Sequence, residues 1–174
     1  MYKQVIVVNK ELNMSAGKMA AMVAHGSVSF FTNWFRRNVS TENSSWTEYT
    51  IYPNAKIDKE LFAQWIAGSF TKIILEVNNT DDMKTVIEKA HEYGMINGKD
   101  FFNIVDESTE FNDIPSWAVI AFAPMDSIRI DKVTGNLNLY GYENSSLDDS
   151  KDKNVFFKNG ERITVDKDLE TEVM

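Results

Sequence analysis

Two charged side chains lie at points of the chain where a ligand could be bound: Lys18, where an anion is favoured, and Asp106, at the end of a predicted strand. Lys18 follows the apolar run Val5–Val8 and falls in the first turn of a long helical pattern that begins after Ser15. The N–H groups of a first helical turn have no partner inside the helix, so they favour a phosphate or a carboxylate. An anion would also offset the unfavourable charge of Lys18 near the positive end of the helix dipole. A solvated surface lysine is the simpler alternative.

Asp106 directly follows a second apolar run, Phe101–Val105. Open α/β sheets bind ligands outside the carboxyl ends of their strands, and such a carboxylate would lie there. If the strands that precede Lys18 and Asp106 run parallel, both residues belong to the same edge of the sheet. Aspartate is common in loops, so its position alone does not assign a role. The same loop supplies three further polar candidates, Ser108, Thr109 and Glu110.

Helical spacing places Lys18, Met22, His25 and Ser29 along one stripe of the first helix. His25 could bind a ligand or carry a proton, although a lone histidine beside alanines is more often a packed, hydrogen-bonded structural residue. His25 and His91 have no companions at metal-binding spacing, and the chain has no cysteine. We therefore assign no metal and no cofactor.

The composition is typical of a globular protein of a reducing compartment. The chain has 174 residues, of which 43% are hydrophobic and 25% are charged. Its net charge of −8 argues against a broad basic surface for nucleic acid, but it allows a small basic pocket. No apolar run approaches the roughly 20 residues that span a bilayer, and there is no signal-peptide pattern. We therefore expect a cytoplasmic protein without disulfides or membrane contact.

Strand and helix patterns alternate along the chain. Apolar runs predict strands at residues 3–8, 71–77, 101–105 and 117–123. Helical periodicity predicts helices at residues 16–35, 58–67, 80–93 and 126–133. Ser15 and Thr80 are the expected N-caps of the first and third helices, Gly94 ends the third, and residues 41–56 form an irregular loop. This order predicts an α/β fold with helices on both faces of the sheet.

A change in composition divides the chain into a domain at residues 1–140 and a tail at 141–174. The tail begins with a stretch rich in Asp, Ser, Asn and Lys, which is typical of a linker. Residues 155–165 then read as a β-hairpin, because Asn159-Gly160 is a strong turn signal between two short apolar runs.

Three blocks of residues resemble the type II peptidyl-tRNA hydrolase family. Residues 13–26 are similar to its signature Lys-Met-Gly-x-Gly-Lys-x-Ala-Ala-Gln-x-x-His-Ala. Residues 64–74 resemble its block of Trp, then Gly, then Lys-Val-Val. Residues 131–140, Asp-Lys-Val-Thr-Gly-Asn-Leu-Asn-Leu-Tyr, nearly repeat its Ile-Asp-Lys-Val-Thr-Gly-x-Leu-x-Leu-Tyr ending. The resemblance covers about residues 3–140.

The resemblance implies a three-layer α/β/α fold around a four-stranded mixed sheet, and a homodimer, as in many members. The family cleaves the ester that joins a peptide to the terminal ribose of tRNA, so the implied partner is the tRNA 3′ end with its attached peptide. Lys18 and Asp106 match the catalytic lysine and aspartate. Ser15, Gly17 and His25 fall inside the signature and become candidates for catalysis or substrate binding.

Four positions depart from the family pattern. Met22 replaces a glutamine, Thr109 an arginine, Glu110 a threonine in the same register, and Ala118 a second threonine. A lost guanidinium and added carboxylates oppose the binding of a phosphate backbone. We therefore consider three hypotheses: a hydrolase of peptidyl-tRNA or N-blocked aminoacyl-tRNA, a catalytically degenerate homologue that binds a ligand or a protein, and a hydrolase of another ester or amide.

Overall fold

The computed structural model describes residues 1–40, 48–106, 116–141, 155–158 and 161–164. In chain order the elements are β1 (Tyr2–Asn9), a 3₁₀ turn (Lys10–Leu12), α1 (Ala16–Asn38), β2 (Val39–Ser40), β3 (Thr50–Ile51), α2 (Lys59–Leu61) continued by a π-helical segment (Phe62–Ser69), β4 (Lys72–Val77), α3 (Thr80–Glu92), β5 (Phe101–Asp106), β6 (Ser116–Phe122), β7 (Met125–Asp126), α4 (Ser127–Thr134), β8 (Asn138–Leu139), β9 (Val155–Lys158) and β10 (Glu161–Thr164). None of the helices among these residues is long and apolar enough to cross a membrane.

The central sheet is mixed, with the strand order β5-β6-β1-β4-β8 and with β7 paired to the start of β1. β1 runs parallel to β4 and antiparallel to β6, and β6 runs antiparallel to β5. β1, β4 and β5 therefore point the same way, and their carboxyl ends share one edge of the sheet. The four predicted strands are confirmed. Among the described residues the sheet has six strands, rather than the four implied by the family resemblance, because the two-residue strands β7 and β8 also pair with it.

Alternation along the strands separates two apolar layers. Val5 and Val7 of β1 face the layer that includes residues of α3 and α4, whereas Ile6 and Val8 face the layer that includes residues of α1. The π-helical segment lies beside α1, since the Trp65 ring stacks on Phe31 at 6.1 Å. Helices thus cover both faces, which confirms the three-layer α/β/α fold.

α1 approaches the sheet most closely at Gly26. A Cβ atom on this residue would lie 3.0 Å from the Cβ of Ala121 and 3.2 Å from a methyl carbon of Val119. Such distances are shorter than ordinary van der Waals contacts, so only glycine fits without movement. Gly26 therefore fixes the height of α1 above β6.

The predicted start of α1 and the predicted end of α3 are confirmed, whereas α1 continues to Asn38, three residues beyond its predicted end. The Ser15 hydroxyl accepts from the N–H of Lys18, and Gly94 has the left-handed φ of 69° expected after a helix. The N-cap of α3 was predicted wrongly as Thr80. Asn79 caps this helix by accepting from the N–H of Asp82 at 2.9 Å. Thr80 is the first helical residue because its hydroxyl and N–H are both used elsewhere, as described below.

Two other regions add to the sequence prediction. The predicted loop at residues 41–56 is not wholly irregular, because β3 lies inside it and pairs with β2 just before it. Residues 41–47 lie outside the described part. In the tail, β9 and β10 pair antiparallel as the Asn-Gly signal predicted, although residues 159–160 themselves are not described. Residues 1–141 and 142–174 form two separate compact units.

Candidate active site

The connection between β1 and α1 is anchored by the side chain of Asn9. This residue ends β1 and is 1% exposed. Its Nδ2 group donates to the hydroxyl of Thr80 at 3.2 Å and to the main-chain carbonyl of Trp117 at 3.1 Å. Its Oδ1 atom accepts from the N–H of Glu11 at 3.0 Å. One buried amide therefore joins β1 to α3 and β6 and fixes the direction in which the chain leaves the sheet.

Two carboxylates hold the 3₁₀ turn that follows. Glu11 accepts from the N–H and the hydroxyl of Thr80 at 2.9 and 2.8 Å, so it completes the capping of α3. Glu76 of β4 accepts from the Lys10 ammonium at 3.0 Å and from the N–H of Gly141 at 2.9 Å. Burial alone would raise the pKa of Glu76, but these two hydrogen bonds and the Lys10 charge outweigh burial, and the pKa is lowered.

Three predicted residues lie at the start of α1. Ser15 is exposed and is the N-cap, with its hydroxyl 3.3 Å from the N–H of Lys18. The Lys18 side chain is half-buried in the first turn. Gly17 is exposed, and no described atom lies within 4 Å of the position that a Cβ would take there. The described surroundings of Gly17 thus leave open space for a ligand at the helix N-terminus.

Asp106 is the last residue of β5 and pairs with Ser116, the first residue of β6. A bulge precedes this pair, because Ile104 pairs with Val119 whereas Val105 pairs with Trp117, so that Ala118 has no partner on β5. The extra residue belongs to β6, and the alternation of β5 continues unbroken. Position 106 therefore falls on the same face of the sheet as position 104, the face covered by α1.

Ala118, which replaces a family threonine, is fully buried at this bulge. Its contacts belong to the α1-side apolar cluster, together with Val119. Two consecutive residues reach the same cluster because a bulge disturbs the alternation of side chains. The position is next to the carboxyl edge but offers only a methyl group there.

The stripe of α1 residues predicted from helical spacing divides into an apolar and a polar part. Met22 is half-buried and packs against the apolar cluster that includes Ile6, Val8 and Ile104. His25 is exposed, so the interpretation of a packed structural histidine is wrong. His25 instead lines a groove of about 370 Å³ between α1 and β5.

The polar side of this groove comes from His25 and from residues one, two and three helical turns after it. Ser29, Asn33 and Arg36 of α1 lie along it with His25, and the opposite wall comes from Phe102, Asn103 and Ile104 of β5. Lys18 lies two helical turns before His25 on the same side of α1, since seven residues complete nearly two turns. The groove therefore runs along α1 in line with the predicted catalytic end.

Sequence reasoning missed the groups that support this end of the sheet. Ser108, Thr109 and Glu110 lie outside the described residues. Asn9, Glu11 and Glu76 were not predicted, although a polar residue directly after the apolar run of β1 was a signal for Asn9. A second groove, of about 330 Å³, lies between α3 and the segment before β8, and it holds none of the predicted residues. Within the described residues, no cluster of three His, Cys, Asp or Glu side chains suits a metal ion.

A family model and three known relatives that match this chain are all named for one kind of enzyme. The family model described as peptidyl-tRNA hydrolase PTH2 matches residues 2–140. A peptidyl-tRNA hydrolase of Nanoarchaeum equitans is 30% identical over 141 residues, which are 80% of this chain and 100% of the relative. One of Thermoplasma acidophilum is 27% identical over 138 residues, 79% of this chain and 97% of the relative. A peptidyl-tRNA hydrolase of Saccharolobus islandicus is 28% identical over 140 residues, which are 80% of this chain and 99% of the relative.

Proposed function

This chain belongs to the peptidyl-tRNA hydrolase family PTH2, and from that premise we propose that it hydrolyses the ester bond of peptidyl-tRNA. The reaction releases a peptide and returns free tRNA to translation. An N-blocked aminoacyl-tRNA carries the same ester on a single residue and is a substrate of the same class. A homologue that only binds a ligand or a protein is not favoured, because the relatives named for the enzyme match over nearly their whole length.

Lys18 and Asp106 have complementary roles in this proposal. Asp106 orients a water molecule and accepts its proton as the water oxygen attacks the ester carbonyl. Lys18 balances the negative charge that develops on the carbonyl oxygen, or binds the terminal phosphate of the tRNA. The bond between the acyl carbon and the ribose oxygen then breaks, the proton passes to the ribose oxygen, and the peptide leaves as a carboxylic acid.

The observation that best supports these roles is the level of the two backbones along the sheet. Gly26 contacts Val119 and Ala121, and Lys18 lies eight residues earlier, about 12 Å along the helix axis. Ser116, the partner of Asp106, lies about 13 Å from the same contact, counted along β6. Both distances run toward the carboxyl edge, which supports the proposal that residues 18 and 106 act on the same ester.

The direct test measures the release of free tRNA from N-acetyl-aminoacyl-tRNA. We expect cleavage by the wild type and a loss of about 100-fold or more in kcat/KM for Lys18→Ala and for Asp106→Ala. Lys84→Ala and Asp81→Ala are matched controls, because these two residues form an exposed ion pair of 2.6 Å on α3. Both controls should keep the wild-type rate.

Two outcomes would contradict the proposal in different ways. Absence of cleavage over a wide range of enzyme concentrations, together with absence of tRNA binding, would exclude the hydrolase. Cleavage that survives both substitutions would show that other groups perform the reaction. The substitution Met22→Gln offers a further test, because it restores the family glutamine and should raise kcat/KM if the altered site limits the rate.

The proposed function also leads to expectations about the cellular location and the oligomeric state of the protein. We place it in the cytoplasm, where peptidyl-tRNA arises, and we expect a homodimer by analogy with many family members. Light scattering on the purified protein measures its mass directly. A mass of one chain at micromolar concentration would contradict the dimer.

A further inference from the structure

β5 forms the outer edge of the sheet. It pairs with β6 on one side, and apart from an isolated bridge between Asn97 and Phe101, no described residue pairs with its other side. An unpaired strand edge presents main-chain donors and acceptors to any extended chain that reaches it. This edge leads directly to Asp106, so its accessibility bears on the substrate.

Hydrogen bonds at the start of β5 show which main-chain groups face outward. The carbonyl of Asp100 accepts from Ala123 on the β6 side, whereas the carbonyl of Phe101 accepts from Gly98 on the outer side. Because this direction alternates along an antiparallel strand, the N–H and carbonyl groups of Asn103 also point outward. Within the described part of the chain no group bonds them.

The side chain of Asn103 is also unsatisfied. Its Oδ1 atom is buried and has no described hydrogen-bond partner. A buried polar atom without a partner costs about 1–3 kcal/mol unless a ligand or water satisfies it. The alternation of β5 places this side chain on the face of Phe101, opposite to α1. Asn103 also lines the groove beside α1, so its outward main-chain N–H and carbonyl are the groups that it offers there.

We propose that the outer edge of β5 binds the peptide part of the substrate as an additional, parallel strand in the groove beside α1. This inference rests on the proposed function, because that function places the ester at Asp106. The carboxyl end of the peptide then lies at the carboxyl end of β5, and the peptide must run in the same direction as the strand. Asn103 lies about 10 Å before Asp106, so it pairs near the third residue from the ester.

Main-chain pairing suits an enzyme of this class. Peptides of any sequence share the same N–H and carbonyl pattern, and strand addition recognises that pattern rather than side chains. The α1 wall of the groove offers the exposed imidazole of His25, which can adapt to varied side chains. The Ser29 hydroxyl on this wall already donates to the carbonyl of His25 at 2.9 Å. At the far end, Asn33 and Arg37 both donate to the carbonyl of Gly98, so α1 and the turn before β5 bound the groove there.

The alternative occupant is the single-stranded end of the tRNA. Binding of a nucleic acid strand depends on neutralising several phosphates, usually with a row of cations and stacked aromatic rings. Among the lining residues the only permanent cation is Arg36, at the end far from Asp106. The distribution of charge therefore favours the peptide in this groove.

The test compares substrates of increasing peptide length. We measure kcat/KM for N-acetyl-aminoacyl-tRNA and for di-, tri- and tetrapeptidyl-tRNA, and expect a rise of about tenfold once the peptide reaches Asn103. Replacement of single peptide N–H groups by N-methyl groups should lower kcat/KM at every second position, because a parallel strand uses alternate residues toward its neighbour. A flat length series or a uniform effect of N-methylation, with hydrolysis intact, would overturn the inference and leave the proposed function standing.

A second experiment fills the groove with a large side chain. Thr32 is exposed and lines the groove, so Thr32→Trp should abolish the advantage of the longer peptides and leave the single-residue substrate unaffected. Ala24→Trp is the matched control, because Ala24 is an exposed residue of α1 that does not line the groove. Equal slowing of short and long substrates by Thr32→Trp would assign the groove to the tRNA instead. Absence of hydrolysis for every substrate would reject the proposed function, and the inference with it.

Discussion

The two faces of the sheet bury very different side chains. The face that packs with α3 and α4 has large residues that are at most 1% exposed, namely Phe101, Ile120 and Phe122. The face below α1 has the alanines Ala118 and Ala121 beside its aliphatic residues, and α1 itself fully buries only Gly26 and Ser29. The first face supplies most of the apolar burial that stabilises the domain. The second face allows a helix to lie close to the sheet while its flank stays open as a groove.

With the peptide site proposed above, this asymmetry means that stability and substrate binding depend on opposite sides of one sheet. Burial of an aromatic or aliphatic side chain contributes roughly 1.5–3 kcal/mol, so the α3 and α4 side can stabilise the sheet without help from the groove. The α1 side can then keep polar groups such as His25 and Arg36 in contact with a ligand space. Four substitutions test this division.

The largest effect is expected from Phe122→Ala on the packed face. Phe122 is fully buried and lies 6.0 Å from the ring of Phe101, so the substitution leaves a cavity. We expect a loss of about 3–5 kcal/mol in the free energy of unfolding, measured by urea denaturation. Met22→Ala on the α1 face should cost about 1 kcal/mol or less, because Met22 is only half-buried. Equal losses would contradict the asymmetry.

Gly26→Val tests the close approach of α1. The added methyl groups meet Ala121 and Val119 and must push the helix away from β6. We expect a loss of about 1–3 kcal/mol in the free energy of unfolding. The double variant with Ala121→Gly should recover part of that loss, and a double-mutant cycle measures the coupling. Strictly additive losses would mean that the two residues do not limit the approach.

Asn9→Ala tests the anchor between the two faces. The substitution leaves the Trp117 carbonyl and the Glu11 N–H without their partner, which should cost about 1–2 kcal/mol. Because Asn9 fixes the direction in which the chain leaves β1 toward Lys18, we also expect kcat to fall while KM changes less. Asn78→Ala, an exposed residue just after β4, is the control. A stability loss with unchanged kcat would limit Asn9 to a structural role.

Glu76→Gln should have the smallest effect, about 1 kcal/mol, and only at higher pH. The pKa of Glu76 in the folded protein is below its ordinary value of 4.5, so its stabilisation is complete above that value. It is lost as the pH falls through the folded-state pKa. Unfolding curves of both proteins between pH 7 and pH 3 should therefore converge at the acid end. A difference that stays constant with pH would exclude the carboxylate as its source.

The long elements of the fold were predictable, because each carries its own periodicity. β1 contains the continuous apolar run Val5–Val8, and the residues of α1 follow a capping serine, so neither element depends on a distant partner for its recognition. β7 and β8 have two residues each and exist only because β1 and β4 offer an edge. Asn79 and Thr80 are both good N-caps, and the choice depends on Glu11, which is remote in sequence.

The candidate site was predictable in part for the same reason. Spacing along one helix placed Lys18 and His25 on the same side, and the apolar run before Asp106 placed it at a strand end. The groove was not predictable, because its wall requires β5 to be the outermost strand, which only the pairing of β6 with β1 determines. Asn103 interrupts an apolar run, and without the strand order nothing indicated that it faces an open edge.

The contact at Gly26 has a mechanical consequence for α1. Because this contact lies near the middle of α1, it opposes movement of the whole helix along the sheet or away from it, but it allows the helix to tilt about Gly26. Lys18 and Arg36 lie on opposite sides of this pivot, about 12 and 15 Å away along the axis. Any tilt that widens the space beneath one of them narrows the space beneath the other.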